Sequence, residues 1–318
     1  MSGLSAKKQW LKWASVFVLL ITAIYLIKAV DQHWADIPKI QWTPSAWLAL
    51  ASTVALVLCN LMLGSLMWKA LLKDQGFDLP ILTSLQIVGM SQVGKYLPGN
   101  IGHVVGQVGL AKEAGVPVGV SLAAMLVSTL WLVATGLAVG GSGLLIFFDV
   151  QKWLQLHVPH PIWLLALSIL IMVSPWIGLW SINRFLPNLS IWLGQGQAVR
   201  LPTFGTALLV ASGFLACFFV FGLMLKLQAL YLFGITNGNF LTFTLLFTSA
   251  WVAGYLLPGA PGGLGVREAI TIALFSPLVG PGAAVGLSVT MRLVTVLGDG
   301  LAFLVGLLFR WLQTSRHP

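Results

Sequence analysis

Six segments of the chain are apolar over about 20 residues, the length that an α-helix needs to cross the hydrocarbon core of a bilayer. They lie at about 13–30, 46–68, 117–141, 161–182, 205–231 and 282–309. Hydrophobic residues make up 58% of the chain and charged residues only 8%, whereas soluble domains carry about 25% charged residues. No polar stretch is long enough for a separate soluble domain, so we expect residues 1–318 to form a single transmembrane domain.

Two further apolar regions, 81–112 and 240–276, are each interrupted near the middle by proline and glycine. The interruptions read GKYLPGNIGH from Gly94 and GYLLPGAPGGLG from Gly254. Each half is too short to cross a bilayer alone, so we expect a re-entrant helical hairpin in each region. Proline ends one half-helix and glycine allows the chain to turn. The predicted hairpin tips contain Pro98, Gly99, Asn100, Gly102, Pro258, Gly259, Pro261, Gly262, Gly263 and Gly265.

The two interrupted motifs align when residue 94 is laid on residue 254. The aligned pairs are Gly94 with Gly254, Leu97 with Leu257, Pro98 with Pro258, Gly99 with Gly259 and Gly102 with Gly262. A second match, shifted by four residues, pairs Pro117 with Pro281 and the run 136–138 with 300–302. We therefore predict two repeats, at about 10–148 and 160–312. Each repeat contains three spans and one hairpin, and an odd number of crossings inverts the second repeat relative to the first.

The predicted fold class is thus an all-α polytopic membrane protein with about six full spans and two re-entrant hairpins, arranged as two inverted repeats. Lysine and arginine indicate its orientation, because cytoplasmic loops are enriched in these residues. The side that holds the termini carries Lys7, Lys8, Lys12, Lys69, Lys73, Lys112, Arg184, Arg200, Arg310 and Arg316, and the other side carries Lys39 and Lys152. Both termini are therefore expected in the cytoplasm. The net charge of +9 is scattered over short loops, so nucleic acid is not an expected partner.

Seven charged residues fall near or within membrane depth. Lys28 and Lys226 lie near the predicted outer ends of their spans and are expected to extend to the surface. The other five are Lys95, Arg267, Glu268, Arg292 and Asp299. The returning helix of the second hairpin is expected to start near Gly263 to Val266, which places Arg267 and Glu268 in its first turn. Helix N-termini attract anions, and charged residues inside a membrane are costly and mark transport pathways. We predict that these five residues, with His103 and Gln107 near the first tip, bind a substrate with an anionic head group.

Two interpretations of these charges stay open. In the first, they neutralise one another and lock the second hairpin to the last helix. In the second, at least one arginine contacts the head group during transport. Lys95 could likewise reach a phosphate or extend to the cytoplasmic surface. No metal and no cofactor are expected: His157 and His160 have no nearby carboxylate or thiolate cluster, and no glycine-rich nucleotide loop occurs.

The motifs GKYLPGNIGHVVGQ and PGAPGGLGVREA, followed by Arg292, resemble the paired signatures of the lysylphosphatidylglycerol synthase transmembrane family. Members of this family are also called flippase-like proteins. The chain is similar to the flippase half of the multiple peptide resistance factor without its aminoacyl-transferring domain, so we expect a stand-alone member. The family often has arginine where this chain has Gln107. The resemblance therefore does not imply that both repeats bind an anion equivalently.

The resemblance implies a lipid translocase of the bacterial cytoplasmic (inner) membrane, a transporter rather than an enzyme. Its substrate would be a phosphate-bearing amphipathic lipid, such as a phospholipid or a polyprenyl-phosphate-linked lipid. Its expected partners are the membrane, this lipid and enzymes of glycan or lipid biosynthesis. The alternatives are a membrane-embedded transferase and an accessory subunit in cell-envelope glycolipid assembly. For a transferase, only Glu268 and Asp299 are acids at sufficient depth.

Overall fold

The computed structural model describes residues 28, 31, 36–40, 42–96, 102–147, 161–256 and 265–314, and all regular structure within them is helical. A 3₁₀ helix, Gln92–Tyr96, lies between the α-helices Ile81–Ser91 and Gly102–Glu113. The helices are α1 (Pro44–Asp74), α2 (Ile81–Ser91), α3 (Gly102–Glu113), α4 (Val118–Phe147), α5 (Pro161–Phe185), α6 (Pro187–Leu193), α7 (Phe204–Phe233), α8 (Phe240–Leu256), α9 (Val266–Val279) and α10 (Pro281–Thr314).

Five of these helices are long and apolar enough to cross a membrane. They contain the spans Pro44–Asp74, Val118–Leu145, Trp163–Phe185, Phe204–Phe233 and Pro281–Leu312. Five of the six predicted spans are thereby confirmed. The remaining one, at 13–30, lies outside the described residues except for Lys28, which is helical. The chain is an integral, multi-pass membrane protein of the predicted all-α class.

Local sequence signals set several helix boundaries. Thr43 caps α1, and its hydroxyl accepts a hydrogen bond from the backbone N–H of Ala46 at 3.3 Å. Pro44 follows as the first helical residue, where a missing N–H has no cost. Gly280 has a φ of 86° and separates α9 from α10. A residue with a Cβ would be strained in this conformation, which explains glycine at this sharp change of direction.

Both interrupted regions form a pair of short helices, as predicted. Helix α2 contacts α3 in the first hairpin, and α8 contacts α9 in the second. Of the predicted tip residues, Gly102 begins α3 and Gly265 caps α9. The others lie outside the described residues: Pro98, Gly99, Asn100, Pro258, Gly259, Pro261, Gly262 and Gly263.

One end of the helix bundle is defined by contacts between segments that are distant in sequence. The backbone N–H of Thr203 donates to Asp74 at 2.8 Å, and the side chain of Gln75 donates to the carbonyl of Arg200 at 2.9 Å. Arg310 and Glu113 form an ion pair at 2.9 Å. The first hairpin starts after α1 and finishes at Glu113, so it enters the bundle from this end.

The opposite end gathers the other connections. Lys226 donates to the carbonyl oxygen of Gly238 at 2.7 Å, in the loop between α7 and α8. At the start of α10, Gly282 lies against the backbone of Asp36. The second hairpin begins after the 234–239 loop and finishes at Gly280, so it enters from this end. The two hairpins therefore enter the bundle from opposite ends.

The packing between the two halves is reciprocal. Helix α1 packs against α7, α2 packs against α10, and α8 packs against α4. Glycines bring these helices close: a Cβ added at Gly140 in α4 would lie 2.9 Å from the Cα of Ser249, and one at Gly89 in α2 would lie 3.1 Å from the carbonyl of Ala302. Small residues of this kind let helices pack closely in membranes. The repeat boundaries, 10–148 and 160–312, and the inverted relation of the repeats stay predictions.

Candidate substrate site

A cavity of about 340 Å³ lies between the hairpins and the long helices α1, α4, α7 and α10. Most of its lining is apolar and aromatic, with a limited number of polar groups, which is typical of a site for a small ligand. Six of the predicted substrate-binding residues line it: Lys95, His103, Gln107, Arg267, Arg292 and Asp299. The seventh, Glu268, contacts two of these six.

Glu268 is held in place by the start of α9. It is the third residue of the helix, and its carboxylate accepts a hydrogen bond from the backbone N–H of Gly265 at 2.7 Å. A carboxylate in this position satisfies a helix N–H that has no partner within the helix. The second oxygen lies 3.5 Å from a guanidinium nitrogen of Arg267 and 3.5 Å from one of Arg292. The predicted placement of Arg267 and Glu268 in the first turn of α9 is confirmed. The buried carboxylate of Glu268 contacts both arginines.

Asp299 fixes the first hairpin to α10. Its carboxylate is 2.5 Å from the ammonium of Lys95 and accepts a hydrogen bond from the hydroxyl of Tyr96 at 2.5 Å. Only 2% of the Asp299 side chain is exposed. The alternative in which Lys95 extends to the cytoplasmic surface is wrong, because the buried carboxylate attracts its ammonium instead.

Tyr96 is a site residue that the sequence analysis missed. The guanidinium of Arg292 lies 5.3 Å from the centre of its ring, within the range of a cation–π interaction. Arg292 therefore contacts Tyr96 of the first hairpin region and Glu268 of the second hairpin. A signal was present in the sequence, since Tyr96 is next to Lys95 in the interrupted motif, and a buried tyrosine hydroxyl needs a hydrogen-bond partner.

Lys95, Arg267, Glu268, Arg292 and Asp299 form what we call the charged cluster. Its three cations and two carboxylates have a net formal charge of +1. The mutual neutralisation predicted by the first interpretation is present, and it joins both hairpins to α10. The three cations also line the cavity. Binding of an anion by this cluster stays a prediction.

The other two predicted site residues, His103 and Gln107, come from α3. They are four residues apart and lie on the same face of the helix. His103 stands in the first turn of α3, as Arg267 does in α9, so the N-termini of both returning helices lie beside the cavity. Positive helix ends reinforce a site for an anion.

Neutral polar residues of α1 and α4 also line the cavity, and the sequence analysis missed them: Asn60, Trp68, Ser128 and Thr129. Asn60 could have been noticed as an amide within an apolar span, because such residues are costly in lipid. Among the described residues, no group of three or more His, Cys, Asp and Glu side chains comes together.

A model of the protein family described as lysylphosphatidylglycerol synthase TM region matches residues 13–302. This chain belongs to that family. The match includes both hairpins and the entire charged cluster. The lysylphosphatidylglycerol synthase transmembrane region is a membrane domain linked to lipid handling. A comparison with curated proteins finds no match to the chain.

Proposed function

We propose that this member of the family moves a phosphate-bearing amphipathic lipid between the leaflets of the bacterial cytoplasmic membrane. One observation carries the proposal: a cavity within the apolar helices is lined by Lys95, Arg267 and Arg292, and the charged cluster has one more cation than carboxylates. An uncompensated charge is expensive in a membrane. A phosphate group would supply the missing negative charge.

The geometry supports a specific way of holding the head group. Arg267 and Arg292 share Glu268. The guanidinium of Arg267 contacts this carboxylate through one nitrogen, and its other N–H groups can donate to phosphate oxygens. The N-terminus of α9 beside them adds the positive end of a helix dipole. The phosphate would sit in the cavity while the hydrocarbon chains stay in lipid.

The arrangement of the hairpins supports transport rather than binding alone. They enter the bundle from opposite ends, and both are tied to α10 through the charged cluster. In secondary transporters, broken helices from two repeats form a midplane site that opens to each side in turn. Neutralisation of the cluster by a phosphate would weaken the ties between α10 and the hairpins, which would allow either hairpin to move.

A lipid-exchange assay in proteoliposomes tests the proposal. The probe is phosphatidylglycerol with a fluorophore on one acyl chain, and dithionite, added outside, reduces the fluorophore in the outer leaflet. We expect the wild-type protein to expose inner-leaflet probe, with or without an imposed proton gradient. Arg267→Gln or Arg292→Gln should slow the exchange about tenfold or more, because each removes charged hydrogen bonds to the phosphate.

Arg310→Gln is the matched control. It removes a cation from the same helix as Arg292, but at the end of the bundle, where Arg310 pairs with the exposed Glu113. Exchange should stay within about twofold of the wild-type rate, since exposed ion pairs contribute little. The proposal would be contradicted if Arg267→Gln and Arg292→Gln both exchanged lipid at the wild-type rate, or if the wild-type protein exchanged none.

A further inference from the structure

Helix α3 forms a part of the cavity wall that is one helix thick. Its residues His103 and Gln107 line the cavity. Val105 and Gly109 lie on the opposite face of the helix, and both are exposed within the described chain, with 63% of Val105 accessible. A movement of α3 alone would therefore connect the cavity with the lipid around the protein.

The packing of α3 is thin, and it is the least buried of the four hairpin helices. Only Gln107 and Ala111 are buried among its 12 residues. In α8 of the second hairpin, by contrast, every residue at 242–250 is buried, and the helix is held between α4, α7 and α9. Elements with few buried contacts open at a lower free energy than core elements. Helix α3 can thus move with a smaller loss of packing than α8.

Polar contacts hold α3 at one end. In the described chain, Glu113 is the only α3 side chain that forms a hydrogen bond or an ion pair. Its partner is Arg310, and both side chains are exposed, so the pair contributes little stability. Lys95 and Tyr96 of the preceding 3₁₀ helix, in contrast, contact the buried Asp299. The charged cluster therefore ties the 3₁₀ helix, and not α3, to α10.

Helix α2, the other arm of the first hairpin, is also fixed to α10. A Cβ added at Gly89 would lie 3.1 Å from the carbonyl oxygen of Ala302, so the two helices are in close contact. Close contacts of this kind are typical of helices that pack tightly in membranes. The first hairpin therefore has one arm that is held by α10 and one arm that is not.

Two glycines inside α3 weaken the helix without a packing reason. A Cβ added at Gly109 would meet nothing within 4 Å, and one at Gly106 would only reach Ser91 at 3.8 Å, an ordinary contact. Alanine would therefore fit at both positions. Since glycine lowers helix stability relative to alanine, residues 102–109 form the less stable half of α3.

The opposite end of α3 has the features of a pivot. Ala111 and Val116 belong to the buried core, on either side of the turn that leads into α4. Between them, Gly115 has a φ of 86°, and a Cβ added there would meet nothing within 4 Å. The backbone conformation, and not space, thus requires glycine. Hinges consist of a few residues at the ends of elements that absorb backbone changes.

From these observations we infer that α3 is a gate of the cavity. Residues 102–109 move away from α2 by rotation about the turn at 114–117, while α2 and α8 stay packed in the bundle. This movement opens the cavity sideways and admits the phosphate head group from the surrounding lipid. The inference rests on the proposed lipid site and names the element that controls access to it.

A disulfide between α2 and α3 tests the inference, in a background with Cys59 and Cys217 replaced by alanine. The distance from a Cβ at Gly106 to the Cβ of Ser91 is 3.8 Å, which suits a disulfide. We expect oxidation of the double variant Ser91→Cys, Gly106→Cys to slow lipid exchange about tenfold or more, because the gate cannot open, and reduction to restore it. Exchange is followed with a short-chain fluorescent phosphatidylglycerol that thiol-blocked albumin extracts from the outer leaflet, since dithionite would reduce the disulfide.

The double variant Gly89→Cys, Ala302→Cys is the matched control. It joins the same helix, α2, to α10, and the distance between the two Cβ positions is 3.7 Å. Its oxidised and reduced forms should exchange lipid within about twofold of each other, because the inference keeps α2 in place. The inference would be overturned if the disulfide between α2 and α3 left exchange unchanged. A block by the disulfide between α2 and α10 would also overturn it, since the whole hairpin would then have to move.

Hydrogen exchange of the wild-type protein in detergent micelles gives a second test that needs no variant. The amides of 102–109 should exchange about tenfold or more faster than those of α2 and of 242–250 in α8. Equal protection of the three segments would contradict the gate. The proposed function fails by a different result: a wild-type protein that exchanges no lipid contradicts transport, whereas hydrogen exchange still decides whether α3 opens.

Discussion

At the scale of single residues, the central feature is how each buried carboxylate is satisfied. The carboxylate of Asp299 is paired with Lys95 and Tyr96, and that of Glu268 with the backbone N–H of Gly265 and two arginines. Removal of one partner from a buried ion pair strongly destabilises a protein, whereas replacement of both partners by apolar residues often leaves the stability almost unchanged. The pair of Lys95 and Asp299 therefore offers a test of structure that is independent of transport.

Asp299→Asn should destabilise the protein by about 3–5 kcal/mol, because it leaves the Lys95 ammonium without a counter-ion in an apolar setting. The free energy of unfolding in mixed detergent and dodecyl sulfate micelles measures this loss. The double variant Lys95→Met, Asp299→Asn also removes the unpaired ammonium. It should recover more than half of the lost free energy of unfolding. If the double variant were no more stable than Asp299→Asn, the ion pair would not be the reason for the loss.

At the scale of elements, glycine determines how closely the two arms of the second hairpin approach. A Cβ added at Gly254 in α8 would lie 2.8 Å from the Cβ of Arg267 and 3.2 Å from its backbone. Such contacts force neighbouring atoms apart, and Arg267 is the residue that must move. The position of this guanidinium in the cavity thus depends on a missing side chain in the neighbouring helix.

Gly254→Ala should cost about 1–3 kcal/mol of stability through overpacking, and it should slow lipid exchange in proteoliposomes because Arg267 is displaced. Gly141→Ala is the matched control: it changes a glycine of α4 where an added Cβ meets nothing within 4 Å. Its stability should be unchanged or slightly higher, since alanine favours helix. Equal behaviour of the two variants would show that the close approach of α8 and α9 is not required.

At the scale of the whole molecule, the two ends of the bundle differ in charge. The end that holds Asp74 and Arg200 carries most of the basic residues of the described loops and helix ends: Lys69, Lys73, Lys112, Arg184, Arg200 and Arg310. The opposite end carries Lys39 and Lys226. From the positive-inside rule we expect the first end, and the entrance of the first hairpin, to face the cytoplasm.

Single cysteines at the two ends test this orientation in whole cells, in a background with Cys59 and Cys217 replaced by alanine. Gln197→Cys lies in the exposed loop before α7, and Asn237→Cys lies in the exposed loop before α8. A membrane-impermeant maleimide should label the cysteine at 237 from outside and reach the one at 197 only after the membrane is permeabilised. The reverse pattern would invert the proposed topology and the direction of entry of both hairpins.

The amino-acid sequence by itself determined the membrane class, the five described spans and the two broken helix pairs. It did so because an apolar run of sufficient length must cross a bilayer as a helix, and because proline and glycine interrupt helices locally. It also selected the charged residues of the site, since a charge at membrane depth is conspicuous in an apolar segment. The start of α9 near Val266 followed from the same local signals.

Only the tertiary structure decided how these residues pair. The contacts of Asp299 with Lys95 and Tyr96 join positions that are about 200 residues apart, and no local pattern specifies them. Asn60 and Ser128 were likewise hidden, because they look like isolated polar residues of two apolar spans until α1 and α4 bring them to one cavity. Helix formation depends on neighbours along the chain, whereas a binding site depends on which helix faces meet in space.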